Sequence, residues 1–227
     1  MAKKDLSAIE LVRQESLTSL VQREIERRIV AGELTPGAKL NEADLASAMG
    51  ISRGPVREAF RALEQAGLVQ TEKNRGVFVR QVSLEEANEI YEVRAALEAQ
   101  IGRLAAQRVK PPHLERLRAI VKRMHAAGRK RDPDAYFPLN IEFHEVLAEA
   151  AANRALAVHY RRVVNELNLY RREAIQRNVE VIPVSTREHE AVVEAIAKGD
   201  AERAGRLLYD HVINSRSRLQ AKDRQAA

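Results

Sequence analysis

The chain has 227 residues, with 38 Lys and Arg against 32 Asp and Glu, a formal net charge of +6, 45% hydrophobic residues and no cysteine. That length allows one large domain or two modest ones, and the missing cysteines exclude disulfides and thiolate chemistry. The apolar runs are too short for a transmembrane helix, and the charged N-terminal stretch lacks a signal peptide's apolar core, so a cytoplasmic protein without a membrane partner is expected.

Up to about residue 80 the chain reads as short helices separated by turn signals. "SLVQREIERRIVAGEL" is a first amphipathic helix, closed by Gly32 and followed by the turn "TPGAKL". "NEADLASAMG" is a second, with Asn41 as N-cap and Gly50 as its stop. A third runs from Ser52 to a stop at Gly67, with Val56, Phe60 and Leu63 on its buried face. Two short strands, 68–71 and 77–80, then flank a polar turn ending in Gly76. Three helices and a hairpin outline a winged helix-turn-helix.

Residues 81–83 read as a linker. Helical patterns follow over roughly 84–108, 113–128, 133–151, 154–178, 186–197 and 200–220, leaving 221–227 as a disordered tail. Ser83 with Glu86, and Ser185 with Glu188, have capping-box spacing, while Asp132 precedes a helix-starting Pro133. The predicted fold is therefore mainly α, with a winged helix-turn-helix over 1–80 and an all-helical bundle over 84–220.

On the third helix Arg53, Arg57 and Arg61 form a basic edge at i, i+4 and i+8. Ser52 and Arg53 lie at the end that a recognition helix presents to the major groove. Arginine bonds bidentately to guanine, and a helix N-terminus with a serine holds phosphate. Lys73 and Arg75 in the hairpin turn would reach the neighbouring backbone or minor groove. The plainer alternative is an exposed basic face paired with Glu58 and Glu64. The preceding helix and the following hairpin favour double-stranded DNA.

In the helical region Asn140 and His144 share one helix face. His189 and His211 each fall on the apolar stripe of a separate helix. A single such histidine is more often a satisfied core residue, but three with an amide oxygen suggest a ligand set for a divalent metal, zinc or nickel. His113, His125 and His159 read as surface residues. Arg94 falls within the stripe of Ile90, Leu97 and Ile101. It reads either as an ion pair with Glu98 one turn on, or as a fork for the carboxylate of a small acid.

The segment "SRGPVREAFRALEQAGLV" resembles the "SRTPVREAL…L…GLV" signature of the GntR superfamily of bacterial repressors. The stretches "YEVRAALEAQIGRLAA", "NIEFHEVLAEAAAN" and "EHEAVVEAIAKGDAERAGRLLYDHV" are similar to the ligand-sensing FCD domain of its FadR subfamily. The resemblance covers about residues 16–216. It implies operator contacts at Ser52, Arg53, Pro55 and Arg57, with Gly76 at the wing tip, and Ala43 and Asp44 stand where some relatives carry a further arginine. It also implies a homodimer on a palindromic operator, a metal set at Asn140, His144, His189 and His211, and an effector contact at Arg94. The usual set is Asp-x3-His plus two later histidines, so Asn140 is a departure. A neutral amide oxygen is the weaker ligand, and weaker metal binding or an altered metal preference is expected.

The function expected is a metabolite-responsive repressor sensing a small carboxylic acid, and not an enzyme. Two alternatives are a hydrolase using a three-histidine metal and an architectural DNA-binding protein with no effector. The hydrolase lacks an HExxH-type motif, and Glu145 and Glu190 fall on other helix faces than the histidines they adjoin.

Overall fold

A computed structural model describes residues 16–220, so the tail expected at 221–227 lies outside the described residues. The described residues form two compact units that divide between Gln81 and Val82. The first contains α1 (Leu17–Val30), β1 (Lys39–Leu40), α2 (Glu42–Ala48), α3 (Arg53–Gln65), β2 (Val69–Glu72) and β3 (Gly76–Val79). The Ser16 hydroxyl caps α1 by accepting from the Ser19 amide, and Asn41 Oδ1 caps α2 by accepting from Ala43 and Asp44. Val21, Ile25 and Ile29 of α1 and Val56, Ala59, Phe60 and Leu63 of α3 are buried, as the 3.6-residue period requires. Gly67, at φ +77°, ends α3 in the left-handed region that lets the chain turn directly into β2.

The small sheet has the order β1-β3-β2, antiparallel throughout. The stretch expected as a plain turn thus contributes a strand, Lys39 facing Phe78 and Leu40 facing Val77. Two residues carry no alternation of their own. Only the partner strand makes them β.

The second unit contains α4 (Leu84–Arg108), α5 (Pro111–Lys130), α6 (Pro133–Ala150), α7 (Arg154–Arg177), α8 (Val181–Ala197) and α9 (Ala201–Gln220). The starts of α4, α6 and α7 are capped by Ser83, Asp132 and Asn153, each accepting from the amide three residues on. α8 begins earlier than the Ser185–Glu188 spacing predicts. Pro183 occupies its third position, where a missing N–H costs no helical hydrogen bond. The two supposed capping residues are engaged elsewhere. Ser185 Oγ accepts from Tyr136, and the Glu188 carboxylate bonds His211 and Arg218.

α4 and α9 approach with little between their backbones. A Cβ at Gly102 would lie 2.7 Å from the Ala204 carbonyl oxygen, and one at Gly205 would lie 2.9 Å from that of Ala99. Farther along the same pair, Ala87, Tyr91 and Ala95 of α4 form a core cluster with Leu167 of α7 and Val212 of α9. This approach brings α9, and His211 with it, against the face of α4 that carries Arg94 and Glu98. Gly102→Ala is expected to force the helices apart and to lower stability by about 1–3 kcal/mol, read as a reduced urea midpoint at unchanged m-value.

Candidate functional site

Two polar constellations stand out, one in each unit. In the first, Ser52 is the N-cap of α3 but makes no side-chain capping bond, which leaves its hydroxyl and the first amides of the helix available. Arg53 is exposed beside it and Pro55 is half-buried. Arg57 is also exposed, and its Nε and Nη2 donate to the Glu42 carboxylate at 3.0 and 2.8 Å. Each partner stabilises the other's charge, lowering the pKa of Glu42 and raising that of Arg57. Arg61 pairs with Glu58, whereas Glu64 accepts from the Thr71 amide instead of joining the basic edge. In the turn between β2 and β3, Arg75 bonds Glu72 and lies 5.4 Å over the Phe78 ring, and Lys39 lies 6.0 Å from the same ring. Gly76 has φ +111°, a conformation that disfavours any side chain. Sequence reasoning overlooked Glu42 and Lys39, both of which reach these groups only across the fold.

The second constellation is buried. His144 of α6, His189 of α8 and His211 of α9 offer nitrogens that lie within 4.8 Å of one another. Their ring centroids are 4.5 to 5.4 Å apart. His144 Nε2 and His189 Nε2 stand 3.4 Å apart. Two nitrogens bound to one tetrahedral zinc, at the usual bond length, stand about 3.3 Å apart.

Two carboxylates back these rings. Glu188 Oε2 bonds His211 Nδ1 at 2.7 Å, leaving His211 Nε2 buried without a partner. Glu98 Oε2 lies 2.9 Å from His144 Nδ1, off the line of a hydrogen bond. A carboxylate behind an imidazole fixes the ring and raises its basicity as a ligand. The donor set therefore fits a divalent ion: three imidazoles, two of them backed by acids, with a ligand nitrogen left orphaned.

Asn140 lies one turn before His144, with its amide nitrogen 3.4 Å from His189 Nε2. Its oxygen, the atom expected to bind metal, accepts from Arg171 Nη2 at 2.6 Å. Arg94 forms the ion pair with Glu98, at 2.7 Å from both Nε and Nη2. Its Nη2 also approaches His144 Nε2 at 3.4 Å, while Nη1 is buried with nothing to bond. Of the three histidines expected at the surface, His159 is exposed but His113 and His125 are half-buried, because they sit at the edges of helix seams. Sequence reasoning missed Glu188, which had the look of a cap, and Arg171, although it falls on the apolar stripe of Val164, Leu167 and Ile175.

Comparison with known proteins agrees with this architecture. Residues 17–79 match the family described as "Bacterial regulatory proteins, gntR family", and residues 89–214 match the FCD domain. This chain is a GntR-family regulator. It is 31% identical over 199 residues, 87% of this chain and 86% of the relative, to the probable D-xylose utilization operon transcriptional repressor of Paenarthrobacter nicotinovorans. A solved GntR transcriptional regulator from Rhodococcus sp. RHA1 is 27% identical with a TM-score of 0.76, covering 91% of this chain and 99% of the other. The structure of E. coli McbR/YncC shares the fold, with a TM-score of 0.81 at 21% identity over 92% of this chain and 99% of that one.

The regulator is thus a DNA-binding transcription factor and not an enzyme, which disfavours the hydrolase reading. Its FCD domain implies a small-molecule effector, which disfavours a purely architectural role. The three histidines of the GntR regulator form a group able to hold a metal.

Burial sets the protonation of that group. It lowers His144 to about 4, pushes His189 well below the ordinary value, and lowers His211 against the pull of Glu188. Burial opposes the Glu98 charge, but Arg94 and then His144 hold that carboxyl well below its usual range. Glu188 is likewise held at about 2, against burial, by bonds from His211 and Arg218. All three imidazoles are therefore neutral near pH 7, the form that binds metal. Below the ordinary histidine pKa of 6.5 the unfolded chain takes up protons that the fold refuses, so metal-free protein loses stability as pH falls. Urea unfolding of the metal-free regulator at pH 7.5 and 5.5 is expected to show a loss on the order of 1 kcal/mol from His144 at the lower pH, with His189 and His211 adding to it in the same direction. A flat profile across that window would contradict neutral burial.

Proposed function

We propose that the regulator acts in the cytoplasm as a dimeric repressor on a palindromic operator and releases it in response to a small organic acid. In this reading residues 1–80 bind DNA, 81–83 link, and 84–220 sense. The observation that carries it is the meeting of three imidazoles within 4.8 Å, beside an arginine that has a buried donor unmade.

His144, His189 and His211 would hold a divalent ion, zinc or nickel, with Asn140 at the edge of the set. When bound, the ion supplies positive charge and open positions for an acid's oxygens. Arg94, fixed by Glu98, presents Nη1 to a carboxylate, and the surrounding helices exclude water from the contact. The histidines are almost wholly buried, so entry of an acid requires the helices to part. A ligand that binds the parted and closed arrangements unequally shifts their balance, and that difference is the coupling available to the DNA-binding unit.

On DNA, Ser52 and the α3 N-terminus would take a phosphate, while Arg53 and Arg57 reach base edges and Pro55 fixes the entry of the helix. Arg75 and Gly76 would follow the adjacent backbone. Arg57 is held by Glu42 at an exposed pair, a contact weak enough for a guanine or phosphate to displace.

Arg53→Ala is expected to weaken operator binding by about 10- to 100-fold, measured by fluorescence anisotropy with a salt titration. A salt-independent affinity would count against backbone contacts altogether. Elemental analysis of protein purified without chelators is expected to give about one metal per chain, and His144→Ala to abolish it. The same substitution should remove thermal stabilisation by carboxylic acids.

A further inference from the structure

Arg171 belongs to no part of the site outlined by the three histidines and Arg94. It lies on α7 and is 2% exposed. Its Nη2 and Nη1 donate to the neutral amides of Asn140 and Asn168, at 2.6 and 3.2 Å, and its Nε is buried with nothing to bond. Among the described residues the buried bases are Arg94 and Arg171, and Glu98 is the buried acid. Glu98 is committed to Arg94. Two guanidiniums against one carboxylate leave the centre with one excess positive charge before any metal enters, and a divalent ion raises the excess to three.

Unpaired buried charge is strongly unfavourable, and unmade donors add to that cost. Beside the imidazole nitrogens, the orphaned donors of the centre are Arg94 Nη1, Arg171 Nε and the hydroxyls of Tyr91 and Tyr160, against one orphaned carboxylate oxygen, Glu98 Oε2, which stands 2.9 Å from His144 Nδ1. They share one neighbourhood. Contacts run without a break from Arg171 through Asn140, His189 and His144 to Arg94, and the charges of both arginines act on both phenols. Such a set, rich in donors and short of acceptors, is built for a ligand with several anionic oxygens. An acid with one carboxylate answers Arg94 and leaves Arg171 as it was. One with two answers both.

We infer that Arg171 is a second anion-binding residue of the buried centre, and that the acid sensed is a dicarboxylate. This rests on the reading of the helical unit as an organic-acid sensor. Asn140 has a defined part in it: a neutral side chain orients the guanidinium without neutralising it, so its charge remains for the ligand.

The test uses the full-length, zinc-loaded protein and calorimetry with malonate, succinate, glutarate and adipate, each set against the monocarboxylate of equal carbon number. At least one dicarboxylate should bind about 10- to 100-fold tighter than its one-ended match. Arg171→Met keeps the volume and removes the charge. Asn140→Asp supplies Arg171 with an acid from the protein itself and tests the idea even where the first variant fails to fold. Each variant should bring the two acids within about threefold of one another, while Arg171→Met keeps zinc content near that of the parent. Equal affinity for matched mono- and dicarboxylates in the parent, or a dicarboxylate preference that survives both variants, overturns the inference and leaves the sensor reading standing. Failure of every acid in both series to bind overturns the two together.

Discussion

The Glu98 carboxylate is the point on which the helical unit turns. It is the acid buried among the described residues, and it answers Arg94 on its own helix and His144 on α6. Withdrawing an ion from water costs several kcal/mol even after relaxation, so such a group persists only where its partners are fixed from several sides. The Gly102 and Gly205 seam supplies that fixity by letting α9 come against α4. His211 on α9 is in turn held from behind by Glu188 of α8. His144 and His211 are thus each backed by an acid on another element, while His189 meets the Asn140 amide at 3.4 Å.

The DNA-facing unit relies on the opposite regime. Arg53, Arg57, Arg61 and Arg75 stand in solvent, where paired charges contribute little to folding and are readily exchanged. In the proposed reading their value lies in summed attraction to a polyanion and in the few that reach base edges. The fold is held by Val56, Phe60 and Leu63 beneath them, so the charged edge is free to serve recognition. One unit keeps its charges wet and replaceable, the other dry and costly to disturb. In the proposed reading a small acid competes only at the second, where the unmade donors lie.

Much of this was legible in the sequence. Period and caps located the helices, and Asn41, Ser83, Asp132 and Asn153 are caps because their short side chains reach their own following amides, a purely local matter. Local rules failed where a residue's partner lay far along the chain. Ser185 and Glu188 have capping-box spacing but face Tyr136, His211 and Arg218. Lys39 and Leu40 became a strand through β3. The histidines were found because each sits on an apolar stripe, and Arg94 for the same reason. Arg171 escaped notice although Val164, Leu167 and Ile175 place it on the buried stripe of its helix, the same spacing that marked Arg94.

The sequence by itself determined the elements, the family and which three histidines lie on apolar stripes, since these depend on spacing within a few turns and on signature residues. Tertiary structure alone decided which atoms face one another: that the Asn140 oxygen turns to Arg171, that Glu188 backs His211, and that two guanidiniums share one buried acid. Hydrogen bonds and desolvation act over a few ångströms of space, and separation along the chain does not record that distance.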